Sequence, residues 1–174
     1  MAKNLNYNAN GSKCYNDEPA NCNIYGRLYD WVTAMAFPSD CNDNSCIPQV
    51  SAKHQGICPS GWHIPSNAEW TTLIDFVGGE ETAGKLLKAT SGWNSSPIGD
   101  GNGQDTYGFS ALPGGSGNYY VGFGDNVGEE GTWWSSSAID SYDVHTLLME
   151  YSNRFASSSY CSIGCLISIR CLRN

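Results

Sequence analysis

The amino-acid sequence predicts an α+β domain held together by disulfide bonds. Apolar residues recur at helical spacing in the first half of the chain, whereas the C-terminal quarter holds three β-rich segments. Eight cysteines in so short a chain indicate an oxidising, extracellular compartment. Because 174 residues suit one well-buried core, we expect a single domain spanning residues 1–174.

The composition excludes several classes of partner. Seventeen acidic and nine basic residues give a net charge of -8, so nucleic acid and anionic membranes would be repelled. No stretch approaches the roughly 18 apolar residues of a membrane span. The opening residues lack the apolar region of a signal peptide, and we therefore expect the export signal or anchor to lie outside this sequence.

The first half of the chain predicts a looped N-terminal segment followed by a helix. Residues 1–23 hold Cys14 and Cys22 with little apolar periodicity, which is typical of a stapled loop. A first helix is predicted over residues 24–37 and would end at Pro38. Residues 39–57 are polar and form a candidate insertion. The buried face of the first helix would carry Leu28, Trp31, Val32 and Met35.

Stronger signals mark a second helix. Ser66 and Glu69 form a capping box, and Gly78 and Gly79 supply the stop. Residues 80–88 predict a short third helix. The apolar face of the second helix is predicted to contain Trp70, Leu73, Ile74 and Val77.

The remaining chain predicts loops and then strands. Residues 91–131 are glycine-rich without helical periodicity, so organised loops and short strands are expected there. Strands are predicted at residues 133–134, 144–151 and 166–172, separated by Ser/Asn-rich turns. We therefore expect two principal helices on a small, mostly antiparallel sheet.

Several sequence blocks carry a family resemblance. They are YGRLYDW at residues 25–31, CPSGWHIPSNAEW at 58–70, YGFSALPGG at 107–115, WWSS at 133–136 and SIRCLR at 168–173. In this order the blocks resemble the Fibrobacter succinogenes major paralogous domain over nearly the whole chain. The opening MAKNLN resembles the interior of that family's first block, which favours an excised domain.

A wider resemblance concerns the fold. IPSNAEW at residues 64–70 is similar to a helix start of formylglycine-generating enzymes, and SIR at 168–170 resembles their closing Gly-Phe-Arg strand. Those enzymes are relatives of the C-type lectin domain, so the resemblance implies a C-type-lectin-like fold. It also implies that the N- and C-terminal regions are joined and that residues 94–143 form the binding surface.

The resemblance also bears on the disulfides. Cys58 and Cys171 lie in shared family blocks, which implies that they pair and close a loop of about 113 residues. Eight cysteines allow many connectivities, and proximity alone suggests the other three bonds. These are Cys14 with Cys22, Cys41 with Cys46, and Cys161 with Cys165.

Catalytic constellations are weak in this sequence. Cys161 and Cys165 superficially resemble the copper-binding pair of formylglycine-generating enzymes, but they lie next to the closing strand and lack its arginine-rich context. There is no Gly-x-Ser-x-Gly elbow. We expect the acids Asp125, Glu129 and Glu130 to be solvated loop residues rather than glycosidase carboxylates. We expect His54, His63 and His145 to be surface or loop histidines rather than zinc ligands.

Calcium is the metal that one loop would suit. GDGNGQD at residues 99–105 alternates oxygen-bearing side chains with glycines, as a hard cation prefers. It is not an EF-hand loop, and the lectin calcium motifs are absent. The candidate ligands of a structural calcium ion are Asp100, Asn102 and Asp105.

Aromatic residues form the other candidate site. We expect Tyr107, Phe109 and the Trp133–Trp134 pair to be core. Four other aromatics are expected at the surface as ligand-binding residues: Trp93, Tyr119, Tyr120 and Tyr142.

The sequence thus predicts a non-catalytic, extracellular or cell-surface adhesion module recognising a glycan or protein through residues 94–143. An assembly subunit that contacts its own copies or neighbouring domains is the alternative, and a copper-dependent oxidase is a third.

Overall fold

The computed structural model describes residues 1–97, 99–124 and 126–174, with the backbone alone at Asp100. The helices in this part of the chain are α1 Pro19–Tyr25, α2 Trp31–Ala34, α3 Asn67–Phe76 and α4 Glu80–Leu87, with 3-10 turns at Tyr15–Asp17, Ser39–Asn42 and Ile47–Gln49. The strands are β1 Trp62–His63, β2 Ser95–Ser96, β3 Gly99–Asp100, β4 Gly117–Asn118, β5 Gly122–Phe123, β6 Glu130–Ala138, β7 Asp143–Glu150, β8 Ser157–Ser162, β9 Cys165–Leu166 and β10 Leu172–Arg173.

The strands form small antiparallel sheets, which confirms the predicted α+β class. The largest has the order β6-β7-β8, and a second has the order β5-β4-β9. Two-stranded ribbons join β1 to β10 and β2 to β3. The short second sheet matters most here, because it carries the loop that becomes the candidate site.

Two hydrophobic cores lie on either side of β6. Side chains alternate along a strand, so neighbouring Trp133 and Trp134 point to opposite faces. Trp134 packs in the first core, which contains Tyr29 and Trp31, whereas Trp133 packs in the second core, under α3 and α4. The Trp133 indole N–H donates to Asn4 Oδ1 at 2.8 Å, and the Trp134 indole N–H donates to the Tyr29 carbonyl at 2.7 Å. The prediction that this tryptophan pair is core is confirmed.

Helices α3 and α4 agree with the sequence. The Ser66 hydroxyl accepts from the Glu69 N–H, and the Glu69 carboxylate accepts from the Ser66 N–H, so the predicted capping box is present. Gly78 and Gly79 end the helical run at positive φ, which glycine adopts without steric cost. These two are the principal helices of the structure.

The predicted helix over residues 24–37 is wrong. Helix α1 ends at Tyr25, so of residues 26–37 only one turn is helical, at Trp31–Ala34. Asp30 caps this turn by accepting from the Thr33 N–H at 2.7 Å. The preceding segment is extended, because Leu28 bridges to Lys13 and Tyr29 bridges to Ile167. Long-range backbone pairing therefore overrides the helical spacing of the apolar residues.

Two further expectations need correction. The Ser-rich segment taken as a turn forms strand β8, which pairs with β7 over six residue pairs. Its residues alternate between half-buried and exposed, a strand pattern that small polar side chains conceal in the sequence. Tyr107 is exposed and contacts the exposed Phe76 edge to face instead of joining the core.

The terminal regions are joined, and four disulfides close the structure. The Leu5 N–H donates to the Ile169 carbonyl at 2.9 Å, and the buried Arg170 guanidinium donates to Asn4 Oδ1 at 2.8 Å. The disulfides are the four pairs expected, with Cys58–Cys171 spanning 113 residues. The others are Cys14–Cys22, Cys41–Cys46 and Cys161–Cys165.

Candidate binding site

The candidate site begins with a hairpin that exposes two tyrosines. Strands β4 and β5 are joined by Tyr119, Tyr120 and Val121, which are 57%, 81% and 86% exposed. The Asn118 side-chain oxygen accepts from the Tyr120 N–H at 2.9 Å, and Gly122 closes the loop at a φ of +94°. Three large apolar side chains in succession are thus held at a loop tip, where exposure has a free-energy cost.

The base of this hairpin is anchored. Strand β4 pairs with β9, and the Tyr119 N–H donates to the Gly164 carbonyl at 2.9 Å. Phe123 packs against the buried Tyr15, with ring centroids 5.2 Å apart. The tyrosines are therefore presented from a fixed base, which lowers the entropy lost when they contact a ligand.

The Cys161–Cys165 disulfide lies beside the hairpin. It closes the turn between β8 and β9, and this turn contains Gly164. A Cβ atom at Gly164 would lie 3.2 Å from Cε2 of Tyr120, so the tyrosine ring already rests against the glycine backbone. The absence of a side chain at Gly164 thus lets the Tyr120 ring approach the turn closely.

Next to the hairpin is a cleft of about 610 Å³. Tyr119, Tyr120 and Gly164 line one part of it. A second part comes from the segment around α2, and a third from the disulfide-closed loop of Cys41–Cys46. Its polar lining includes Asn10, Asp30, Thr33, Asn42 and Asp43.

Asp30 is the buried acid of this cleft. Its Oδ1 accepts from the Thr33 N–H, and its Oδ2 accepts from the Thr33 hydroxyl at 2.9 Å. Each carboxylate oxygen has a second lone pair. A Cβ at Gly11 would lie 3.3 Å from the Thr33 Oγ1 and 3.9 Å from Asp30 Oδ2, so glycine there leaves this polar edge uncovered.

The charged side chains in the described lining of the cleft are all acidic. Among the described residues that line the cleft, the ionisable side chains are Asp30, Asp43 and the tyrosines, and none is Lys or Arg. Three of the nine basic residues, Lys85, Lys88 and Arg154, line a different cleft of about 370 Å³. The first cleft therefore has a negative or neutral potential.

The expected surface aromatics divide into two groups. Tyr119 and Tyr120 line the cleft, and Tyr142 is 71% exposed in the turn between β6 and β7. The Tyr142 carbonyl accepts from the Ile163 N–H at 2.8 Å, which ties that turn to the residue before Gly164. Trp93 is a correction: it is 4% exposed, and its indole N–H donates to the Ala111 carbonyl in the second core.

One of the three predicted calcium ligands, the Asp100 side chain, lies outside the described part of the structure. Asn102 Oδ1 accepts from the Trp93 N–H at 3.0 Å, and the Asp105 carboxylate accepts from the Ser110 N–H at 2.6 Å. Both side chains thus bind neighbouring backbone. Within residues 1–97, 99–124 and 126–174, no group of three or more His, Cys, Asp or Glu side chains lies in a metal-binding arrangement.

The histidines lie apart from one another in different surroundings. His63 was expected at the surface or in a loop but is buried on β1, where its ring nitrogens contact Asn174 Oδ1 (2.6 Å) and Glu69 Oε1 (2.9 Å). Burial alone would raise the pKa of Glu69, but hydrogen bonds from Ser66 and His63 outweigh it and hold that pKa below its ordinary value. His54 bonds the Met35 carbonyl from a loop, and His145 is half-buried on β7.

The other catalytic candidates have structural contacts. Asp125 lies outside the described residues. Glu130 accepts from the Thr132 hydroxyl and from Asn126, which fixes the chain at the start of β6. Cys161 and Cys165 are joined to each other, so the structure holds no thiol pair there for copper.

The sequence matches the family model described as the Fibrobacter succinogenes major domain over residues 1–173. The chain therefore belongs to that family. A search of curated proteins and a search of solved structures each returned no match. Across the described part of the chain, none of the helices has the length and apolar character needed to span a bilayer.

Proposed function

We propose that this domain is a non-catalytic extracellular or cell-surface binding module that recognises a glycan or protein through the loops between residues 94 and 143. The observation that carries the proposal is the pair of exposed tyrosines, Tyr119 and Tyr120, at the edge of a polar cleft. Tyrosine rings stack on sugars and anchor protein interfaces, because each combines a large apolar face with a hydroxyl.

The extracellular setting is supported by the cysteines. All eight are paired in the structure, and four disulfides in a chain of this size suit secreted and surface proteins.

We also propose a C-type-lectin-like fold. Its support is the joining of the N-terminal segment to the closing strand through Leu5 and Ile169, and the long loop region before β6.

An assembly subunit is the second candidate, and strand β8 favours it. This strand forms one edge of the largest sheet and contains no Lys, Glu, Asp or Pro. Such residues usually protect an edge from pairing with another chain. Sedimentation velocity distinguishes the candidates: concentration-dependent dimers that disappear in Tyr160→Lys favour assembly, whereas a monomer at high concentration counts against it.

The binding proposal is tested with three forms of the protein. The wild type, Tyr119→Ala/Tyr120→Ala and the control Tyr160→Ala are applied to a glycan array and to a pull-down from a cell-surface protein extract. Tyr160 is also exposed, at 66%, but does not line the cleft. Wild type and control should retain the same ligand and the double variant should lose it. Equal retention by all three would contradict the proposal.

A further inference from the structure

We infer that the cleft beside Tyr119 and Tyr120 binds a saccharide that carries no acidic group, and that the Cys41–Cys46 loop forms part of this site. The inference rests on the proposed function and assigns its ligand class. Three features carry it: the geometry of the tyrosine pair, the polar groups of the cleft and the sign of its charge.

The cleft has the size of a small-ligand site. Its volume of about 610 Å³ falls within the roughly 300–1,000 Å³ typical of such pockets. It is open to solvent and its lining mixes apolar with polar residues. A flat protein epitope would not need a cavity of this volume, whereas a few linked sugar rings would occupy it.

The two tyrosines provide a stacking face and a polar edge. Their ring centroids are 5.7 Å apart and their planes differ by 79°. Because the rings are nearly perpendicular, both cannot lie parallel to the same sugar ring. One ring can therefore cover the apolar C–H face of a sugar, while the other presents its edge and hydroxyl.

The polar lining matches hydroxyl groups. Asp30 and Asp43 accept hydrogen bonds, whereas Asn10 and Asn42 can donate as well as accept. Sugar hydroxyls both donate and accept, and a mixed set of carboxylates and amides pairs with them. The half-buried Thr33 holds the Asp30 carboxylate in place through two hydrogen bonds.

The charge of the cleft excludes acidic sugars. Asp30 and Asp43 would repel a uronate, sulfate or phosphate group, and no basic side chain of the described lining would compensate. The protein as a whole carries a net charge of -8, which adds to this repulsion. A neutral sugar or an amino sugar meets no such barrier.

The Cys41–Cys46 disulfide shapes one wall of the cleft. It links two residues five apart, and Cys41 itself lies in the 3-10 turn Ser39–Asn42. The closed loop supplies Asn42 and Asp43 to the lining. Both cysteines are buried in a small cluster with Val32. A bond across so short a loop restricts few unfolded conformations, so its main effect is on the local shape of the cleft.

The test is an oligosaccharide array with three classes of probe: neutral, amino-bearing, and uronate-bearing or sulfated. Wild type should bind only the first two classes. Tyr120→Ala, Asp43→Ala and Cys41→Ser/Cys46→Ser should each lower the signal at least tenfold while melting within a few degrees of wild type. The controls Tyr160→Ala and Asp75→Ala are exposed outside the cleft lining and should bind like wild type.

The outcomes separate the inference from the proposed function. Binding confined to uronate-bearing or sulfated probes overturns the inference, as does a saccharide signal unchanged in both Tyr120→Ala and Asp43→Ala. If no saccharide binds but a surface protein is retained in a Tyr120-dependent way, the inference fails and the proposed function stands. If neither is retained, both fail. Should the disulfide variant unfold, Asp43→Ala still tests the contribution of that loop.

Discussion

At the scale of single residues, burial separates side chains of the same type. Trp93 and Tyr120 both looked like surface aromatics in a glycine-rich loop region, yet Trp93 is in the core and Tyr120 is 81% exposed. Residue type and spacing carry no signal for this difference, because long-range contacts such as the Trp93–Ala111 hydrogen bond decide it. The hairpin tyrosines were predicted as ligand-binding residues, whereas the Asp30, Asn42 and Asp43 part of the cleft was not.

A residue-scale prediction concerns Glu69 and acid. Its pKa is lower in the folded protein than the ordinary value of about 4.3 in the unfolded chain, so ionised Glu69 stabilises the fold above that value. This contribution is lost as the pH falls through the folded pKa. In urea denaturation, the wild type should exceed Glu69→Gln in unfolding free energy at pH 7, and the difference should shrink below about pH 4. A difference independent of pH between 7 and 3 would show that Glu69 acts only by packing.

At the scale of elements, local signals succeeded where they were strong. The capping box and the paired glycines located α3, and its neighbour α4 follows directly. Apolar spacing over residues 24–37 failed because Leu28 and Tyr29 form isolated β-bridges to Lys13 and Ile167. Strand β8 was missed because serine has no apolar alternation to reveal a half-buried face. Strand β8 and the extended segment at Leu28 and Tyr29 thus escaped prediction, whereas the capped helix α3 did not.

An element-scale prediction tests the capping box. Ser66→Ala removes the side-chain acceptor of the Glu69 N–H and one donor to its carboxylate, and should lower the unfolding free energy by about 1 kcal/mol. Thr71→Ala is the matched control, because its hydroxyl bonds the Asn67 carbonyl within the same helix. That bond competes with helical geometry, so its loss should change stability by less than about 0.5 kcal/mol. Equal losses in both variants would argue against the cap.

At the scale of the whole molecule, the Cys58–Cys171 and Cys41–Cys46 disulfides have different structural effects. Cys58–Cys171 joins the segment before β1 to the residue before β10, and both sulfurs lie in the first core. In the chain-entropy relation, a loop of this length corresponds to roughly 4–5 kcal/mol. Cys41–Cys46 instead closes a surface loop beside the cleft. One bond therefore stabilises the fold, and the other shapes the candidate site.

The matching prediction compares two double variants. Cys58→Ala/Cys171→Ala should lower the unfolding free energy by about 2–5 kcal/mol and melt well below wild type. Cys41→Ala/Cys46→Ala should lose distinctly less, because its loop restricts few unfolded conformations. Differential scanning calorimetry of both variants and a disulfide peptide map of the wild type make the comparison. Equal melting temperatures, or a map joining Cys58 to another cysteine, would contradict this assignment.

In the proposed function, the ligand meets the protein at the tyrosine hairpin and its cleft. The most direct test is a titration of ¹⁵N-labelled protein, followed by NMR, with the oligosaccharide that gives the strongest array signal. Backbone shifts should concentrate at residues 118–122, 164, 10–11 and 42–43, which border one cleft although they are distant in sequence. Shifts concentrated instead around Phe76 and Tyr107, a second exposed aromatic pair, would contradict this placement of the site.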